Sequence, residues 1–126
     1  MKLRVTSFAQ RDNRWFQIIL GYNTQAIYNI GNYGCLITCL AAYLSSLGQN
    51  ENPATVNQKL KDNNGFQAGG GLFIWTKSAV LGLVETYVSP YYDGPITDQA
   101  IAKIKTLLDQ GYPLLCEIDF NPATIG

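Results

Sequence analysis

The feature that most constrains this chain is an apolar run with helical spacing that opens at a glycine-cysteine pair. Leu36, Leu40, Tyr43, Leu44 and Leu47 recur every three or four residues and Gly48 follows them, which predicts a helix over residues 35–47 with one buried face. Gly31 and Gly34 stand just ahead of it. Glycine reaches backbone angles closed to other residues, so a sharp turn into the helix is expected, with Cys35 at its N-terminus.

The remaining elements are arranged around that helix. Asn52-Pro53 reads as a cap followed by proline at the first helical position, with Val56 and Leu60 as the inward stripe and a turn over residues 62–65. Gly69, Gly70 and Gly71 lead into a third apolar helix expected over residues 72–81 and stopped by Gly82. Residues 84–88 have the β-branched and aromatic content of a strand, and residues 89–95 are a tyrosine-rich loop. Thr97 caps a fourth helix, with Ile101, Ile104, Leu107 and Leu108 facing inward and Gly111 at its end. Residues 112–120 are expected to form a last strand. Two strands do not make a stable sheet, so either residues 3–8 or 26–30 join them, or the natural protein continues beyond the turn at residues 121–126. The expectation is one domain, 1–126, incomplete as it stands.

Composition removes several classes of function. The chain has 126 residues, 47% hydrophobic and 14% charged, with nine basic and nine acidic side chains, an ordinary globular balance with no net field for phosphate or anionic lipid. Nucleic acid and membrane surfaces are not expected partners. The apolar run from Cys35 is too short and too often interrupted to span a bilayer, and the first ten residues lack a signal-peptide core. Three cysteines and no histidine leave at least one thiol free and argue against a zinc or iron-sulfur site; a hard cation on Asp12 or Asp93 is the remaining option, and nothing in the sequence argues for it. No cofactor is expected, and a free thiol favours a cytoplasmic or phage-associated setting.

Cys35 is the nucleophile candidate. A thiol at a helix start feels the positive end of the macrodipole and unpaired amides, both of which favour negative charge on sulfur. Its own amide can face the oxyanion of an attacked carbonyl. The bland reading is a small buried residue behind a glycine turn. Trp15 and Trp75 read as core anchors, Cys39 as a packed thiol whose disulfide to Cys35 would be strained, and Cys116 as core. Tyr87, Tyr91 and Tyr92 are placed to line a groove.

Gln10, Asp12 and Trp15, followed by Gly34-Cys35 opening an apolar helix, then Pro53, then Gly69 to Trp75, then Gly111-Tyr112-Pro113-Leu114-Leu115, resemble in order and spacing the bacteriocin-processing (double-glycine-leader) cysteine peptidases, family thirty-nine, and especially their stand-alone "like" members. The resemblance runs from Gln10 to Asp119. It implies an α+β, papain-like fold with a helical N-terminal lobe followed by part of an antiparallel sheet, and peptide or protein substrates, in a bacterial or phage protein. It also implies that Gln10 supplies an oxyanion-hole amide, a neutral donor suited to that task. In many papain-like enzymes the glutamine lies only a few residues before the cysteine, whereas here residues 15–34 intervene; a surface-polar role is the alternative for Gln10.

Such chemistry needs an imidazole, and these residues contain none. In the resembling family the histidine opens the strand after the 112–120 element, so the expectation is a sequence cut just ahead of it and inactive alone. A second chain completing the sheet through the exposed edge 112–120, which equally invites homodimerisation, and a non-catalytic binding or structural module, such as a virion or surface component, are the alternatives. Glu117 and Asp119 are poor substitutes as bases at neutral pH.

Overall fold

The computed structural model of the chain describes residues 4–83 and 96–115. Helix α1 (Ile30–Tyr33) turns at Gly34 directly into α2 (Cys35–Ser46). Helix α3 (Pro53–Asp62) starts from a reciprocal cap: the Asn52 side chain accepts from the Thr55 amide, and the Thr55 hydroxyl accepts from the Asn52 amide. Its turn places Asn64 at φ 56° before Gly65. Helix α4 (Asp98–Asp109) is capped by the Thr97 hydroxyl, as its sequence predicts.

The core lies where α2 packs on α3 and α3 on the segment after it. Ile37, Leu40, Ala41 and Leu44 of α2 meet Val56 and Leu60 of α3, with Phe66, Phe73, Leu81, Trp15, Leu20 and Ile30 closing the cluster. The buried face of α2 is therefore rotated from the expected one. Leu40 and Leu44 are inside, but Leu36 and Tyr43 are only half-buried and Leu47 is exposed. The helix is apolar nearly all round, so spacing alone could not choose its inner side.

Three further expectations are corrected. The helix over 72–81 is a 3₁₀ helix confined to Trp75–Leu81, because Phe73 forms an isolated antiparallel bridge with Phe66, and Gln67 N–H to Leu72 O and Ile74 N–H to Gly65 O extend the pairing. Residues 26–30 are not a sheet strand: they make one bridge, Asn29 with Ile19, and then enter α1. Residues 4–8 carry no strand pairing either. Among the described residues the strand content is these two isolated bridges, so the expected sheet is not seen there; residues 84–88 and 116–120 lie outside the described part. On α4, Ala100 is buried, whereas Ile104 and Leu107 are half-buried and Ile101 and Leu108 exposed, so the expected inward stripe is only partly covered.

Asn57 ties α3 to the N-terminal segment. Its buried side-chain amide donates to Ile19 O at 3.0 Å and accepts from Gly21 N–H at 2.9 Å, which satisfies backbone groups that α3 would otherwise strand. Gly21 in turn has φ 58°, and a Cβ there would lie 2.6 Å from Gly70 O. Glycine is required at this close crossing.

Candidate functional site

Cys35 is the first residue of α2, and its side chain is exposed. At 100° per residue, Cys35 and Cys39 stand opposite the Ile37, Leu40, Ala41 and Leu44 face that enters the core. Sequence position made Cys35 a helix-start thiol; the rotation of α2 is what turns it outward. The cap position, Gly34, has no side chain and makes no side-chain hydrogen bond, so the amides of the first turn of α2 receive no such cap.

Gly34 is needed here for a reason other than the one its identity suggests. Its φ of −89° and ψ of 25° are open to any residue, but a Cβ would lie 2.5 Å from Ile30 O and 2.7 Å from Ile30 Cγ2. Gly31 is equally tight, with a Cβ meeting the Phe16 ring at 2.3 Å. The two glycines let α1, α2 and residue 16 converge ahead of the cysteine.

Residues 15–34, which separate Gln10 from Cys35, fold back on themselves. Gly31 N–H donates to Phe16 O, Ile30 N–H to Ile18 O and Leu20 N–H to Tyr28 O. This returns the chain so that Gln10 Nε2 donates to both Ile30 O and Gly31 O at 3.1 Å, the carbonyls five and four residues ahead of Cys35. Ile30 O also accepts from Gly34 N–H at 2.7 Å, so it keeps a donor without Gln10.

Beside Gln10, the two oxygens of Asp12 receive the Arg14 guanidinium at 3.0 and 2.9 Å, and Oδ1 also accepts from Arg14 N–H. The guanidinium lies 4.5 Å over the Trp15 ring. The Arg14 side chain, with its amide adding to the effect, holds the Asp12 carboxyl at about 2, below its ordinary 3.8. Asp12 is thus engaged in an ion pair, and among the described residues no group of three His, Cys, Asp or Glu side chains could hold a metal; Asp93 lies outside them. A carboxyl depressed in the folded state stabilises above the unfolded value and loses that contribution as pH falls through the folded one. The stability difference between wild type and Arg14→Ala is therefore expected to persist at neutral pH and to vanish as pH falls from about 4 to about 2, measured by denaturant titration along a pH series.

Two hollows reach residues near Cys35, one Tyr33 and the other Cys39. One, of about 360 Å³, is lined by Leu20, Asn23, Tyr28, Tyr33, Gly70, Gly71 and Leu72. Tyr33 lies two residues before Cys35, and its ring stands 5.3 Å from that of Tyr28. A Cβ on Gly71 would meet Leu20 at 2.8 Å, so this glycine keeps the floor thin. Sequence reasoning missed Tyr28 and Tyr33; the signal available was a tyrosine on either side of Gly31. Tyr87, Tyr91 and Tyr92, named instead, lie outside the described residues. The other hollow, about 210 Å³ and mostly apolar, runs along α2 between Cys39, Ala42, Tyr43, Val5 and residues 113–115. Cys39, expected to be packed, is exposed at its edge; burial of part of the thiol, and next the nearby Cys35, push its pKa up. Trp15 is buried as expected, but Trp75 is 46% exposed against the edge of Phe73. Cys116 is outside the described residues.

Residues 2–126 match the model of the peptidase C39-like family. The chain belongs to that family. It is therefore a cysteine peptidase-like domain, and membership carries the papain-like fold anticipated from the sequence. No curated protein and no solved structure matches it. No helix among the described residues of this peptidase-like domain is long and apolar enough to cross a membrane.

Proposed function

We propose that this chain is the nucleophile-bearing part of a cysteine peptidase, with Cys35 attacking the carbonyl of a peptide bond. The observation that supports this most is Cys35 exposed as the first residue of α2, behind a cap position without a side chain. The oxyanion that forms would take the Cys35 amide and the Gln10 side chain as donors. Gln10 would turn one hydrogen from the Ile30 and Gly31 carbonyls, and the Gly34 amide that Ile30 O retains lowers the cost of that turn. The thioester is resolved by water, or by an amine in a transferase variant. An extended peptide would rest in the hollow lined by Tyr28, Tyr33 and Leu72.

The proton shuttle is missing from these residues, since the sequence contains no histidine, so the 126 residues alone do not turn over. Turnover would need a base from outside them, further along the same polypeptide or from a complementing chain that adds to residues 112–120. Of those, 112–115 are described and carry no regular structure, and 113–115 line the α2 hollow. The missing base equally supports a second reading, a binding module that has kept the peptidase scaffold without the chemistry.

A peptide aldehyde separates these readings, because its hemithioacetal needs a nucleophilic thiol and oxyanion donors but no leaving-group acid. The aldehyde is expected to bind the wild type, to lose binding in Cys35→Ala, and to bind about a hundred-fold more weakly in Gln10→Ala, the lower end of the scale for one oxyanion donor. Equal binding by wild type and Cys35→Ala, read by calorimetry, contradicts the nucleophile.

A further inference from the structure

Cys39 has no part in the mechanism above, yet it is exposed one helical turn after Cys35 on the same outward stripe of α2. Side chains four apart on a helix have Cβ atoms about 5–6 Å from each other and lean toward the N-terminus, which carries the Cys39 sulfur back toward Cys35. A disulfide requires the Cβ atoms at about 3.5–4.5 Å, so an intact helix holds the pair slightly too far apart. Opening of the first turn of α2 would supply the missing movement: Cys35 is its terminal residue, the turn has no side-chain cap and helix ends fray, although the opening must break the bonds that the Thr38 amide and hydroxyl give to Gly34 O at 2.9 and 2.8 Å.

We propose that Cys39 is the resolving thiol for Cys35, so that a peroxide converts the nucleophile into a reversible Cys35–Cys39 disulfide. This inference rests on the reading of Cys35 as the reactive thiol and adds a regulatory state to the same site. In the first step the Cys35 sulfur displaces water from hydrogen peroxide: an S–O bond forms, the O–O bond breaks, sulfur is oxidised by two electrons and the peroxide is reduced. In the second step the Cys39 sulfur attacks the sulfenyl sulfur. The S–S bond forms, the S–O bond breaks, and the hydroxide leaves as water with the Cys39 proton. Two thiols and one peroxide thus give one disulfide and two waters. Partial unwinding of the first turn makes the bond strained and easily reduced, as labile regulatory disulfides are. It would keep the nucleophile off the irreversible sulfinic and sulfonic steps.

The stretch from residue 15 to Lys59 contains no other lysine or arginine, and Cys116 falls on a separate tryptic peptide, residues 106–126. The chain treated with one equivalent of hydrogen peroxide and digested with trypsin is expected to give peptide 15–59 about 2 Da lighter, restored by dithiothreitol. In Cys39→Ala and Cys39→Ser the same treatment is expected to leave Cys35 as a sulfenic acid that dimedone captures about ten-fold more than in wild type. Equal dimedone capture in wild type and both variants overturns the pairing, as does a cross-link between peptides 15–59 and 106–126. If Cys35 is neither captured nor lightened, and its alkylation by iodoacetamide is no faster than that of a model peptide thiol, the nucleophile reading has failed and the pairing with it. Rapid alkylation without the mass loss sinks the pairing alone.

Discussion

Trp15→Ala is expected to cost about 3–5 kcal/mol, the largest single loss in the chain, because it removes a fully buried indole from the centre of the core. Trp15 is 2% exposed. Its Nε1 donates to Ala9 O at 2.9 Å, and its ring meets Phe8 edge-on at 5.9 Å. Alanine would leave a cavity between residues 8–16 and the helices; the Ala9 carbonyl would lose the indole N–H but keep the Asp12 amide at 3.2 Å. A domain of this size has about 5–15 kcal/mol in hand, so the variant should unfold at a much lower urea midpoint. Trp15→Phe, which keeps most of the volume and loses the hydrogen bond, should recover more than half of the difference. A midpoint for Trp15→Ala close to that of wild type would show that Trp15 is not a core anchor.

Gly34→Ala carries the second large effect, and it reaches the site. A methyl group there meets backbone and side-chain atoms of Ile30 at 2.5–2.8 Å, and two of those three contacts are backbone atoms that cannot swing away. Overpacking of this kind costs about 1–3 kcal/mol. Relief must come from parting α1 and α2, which moves Cys35 relative to the Ile30 and Gly31 carbonyls that Gln10 holds. The expected result is a folded protein of lower stability whose Cys35 alkylates no faster than a model thiol. Gly48→Ala serves as the comparison: at φ 81° it is strained in its backbone, but open space surrounds it. It should lose stability while Cys35 keeps its reactivity.

The helices were legible wherever caps and breakers agreed with periodicity. Asn52-Pro53, Thr97 and Gly34-Cys35 each marked a helix start that the structure bears out. Periodicity failed where a helix was apolar on all sides, which is why the inner face of α2 was misjudged and Cys39 was thought buried. It failed again at residues 72–74, where an apolar run after three glycines pairs back on Phe66 and leaves only Trp75–Leu81 to coil. Gly34 was expected to serve through its backbone angle, whereas its role is close approach to Ile30. No local pattern could reveal that residues 15–34 double back to bring Gln10 beside the turn before Cys35. That depends on backbone pairing between residues far apart, and only the family resemblance pointed to Gln10 at all. Tyr28 and Tyr33 were legible as residues but not as a pair, since their approach is set by α1.

The central claim is that Cys35, at the uncapped start of α2, is a primed nucleophile and Cys39, on the same stripe, is not. Alkylation by limiting iodoacetamide at neutral pH, with each cysteine resolved by fragment-ion mass spectrometry, tests it within a single sample. Modification of Cys35 at least about ten-fold faster than of Cys39 and of a model peptide thiol is the expected outcome for an activated cysteine. Equal rates at Cys35, Cys39 and the model thiol would contradict it, and would leave the chain a peptidase-like scaffold without peptidase chemistry.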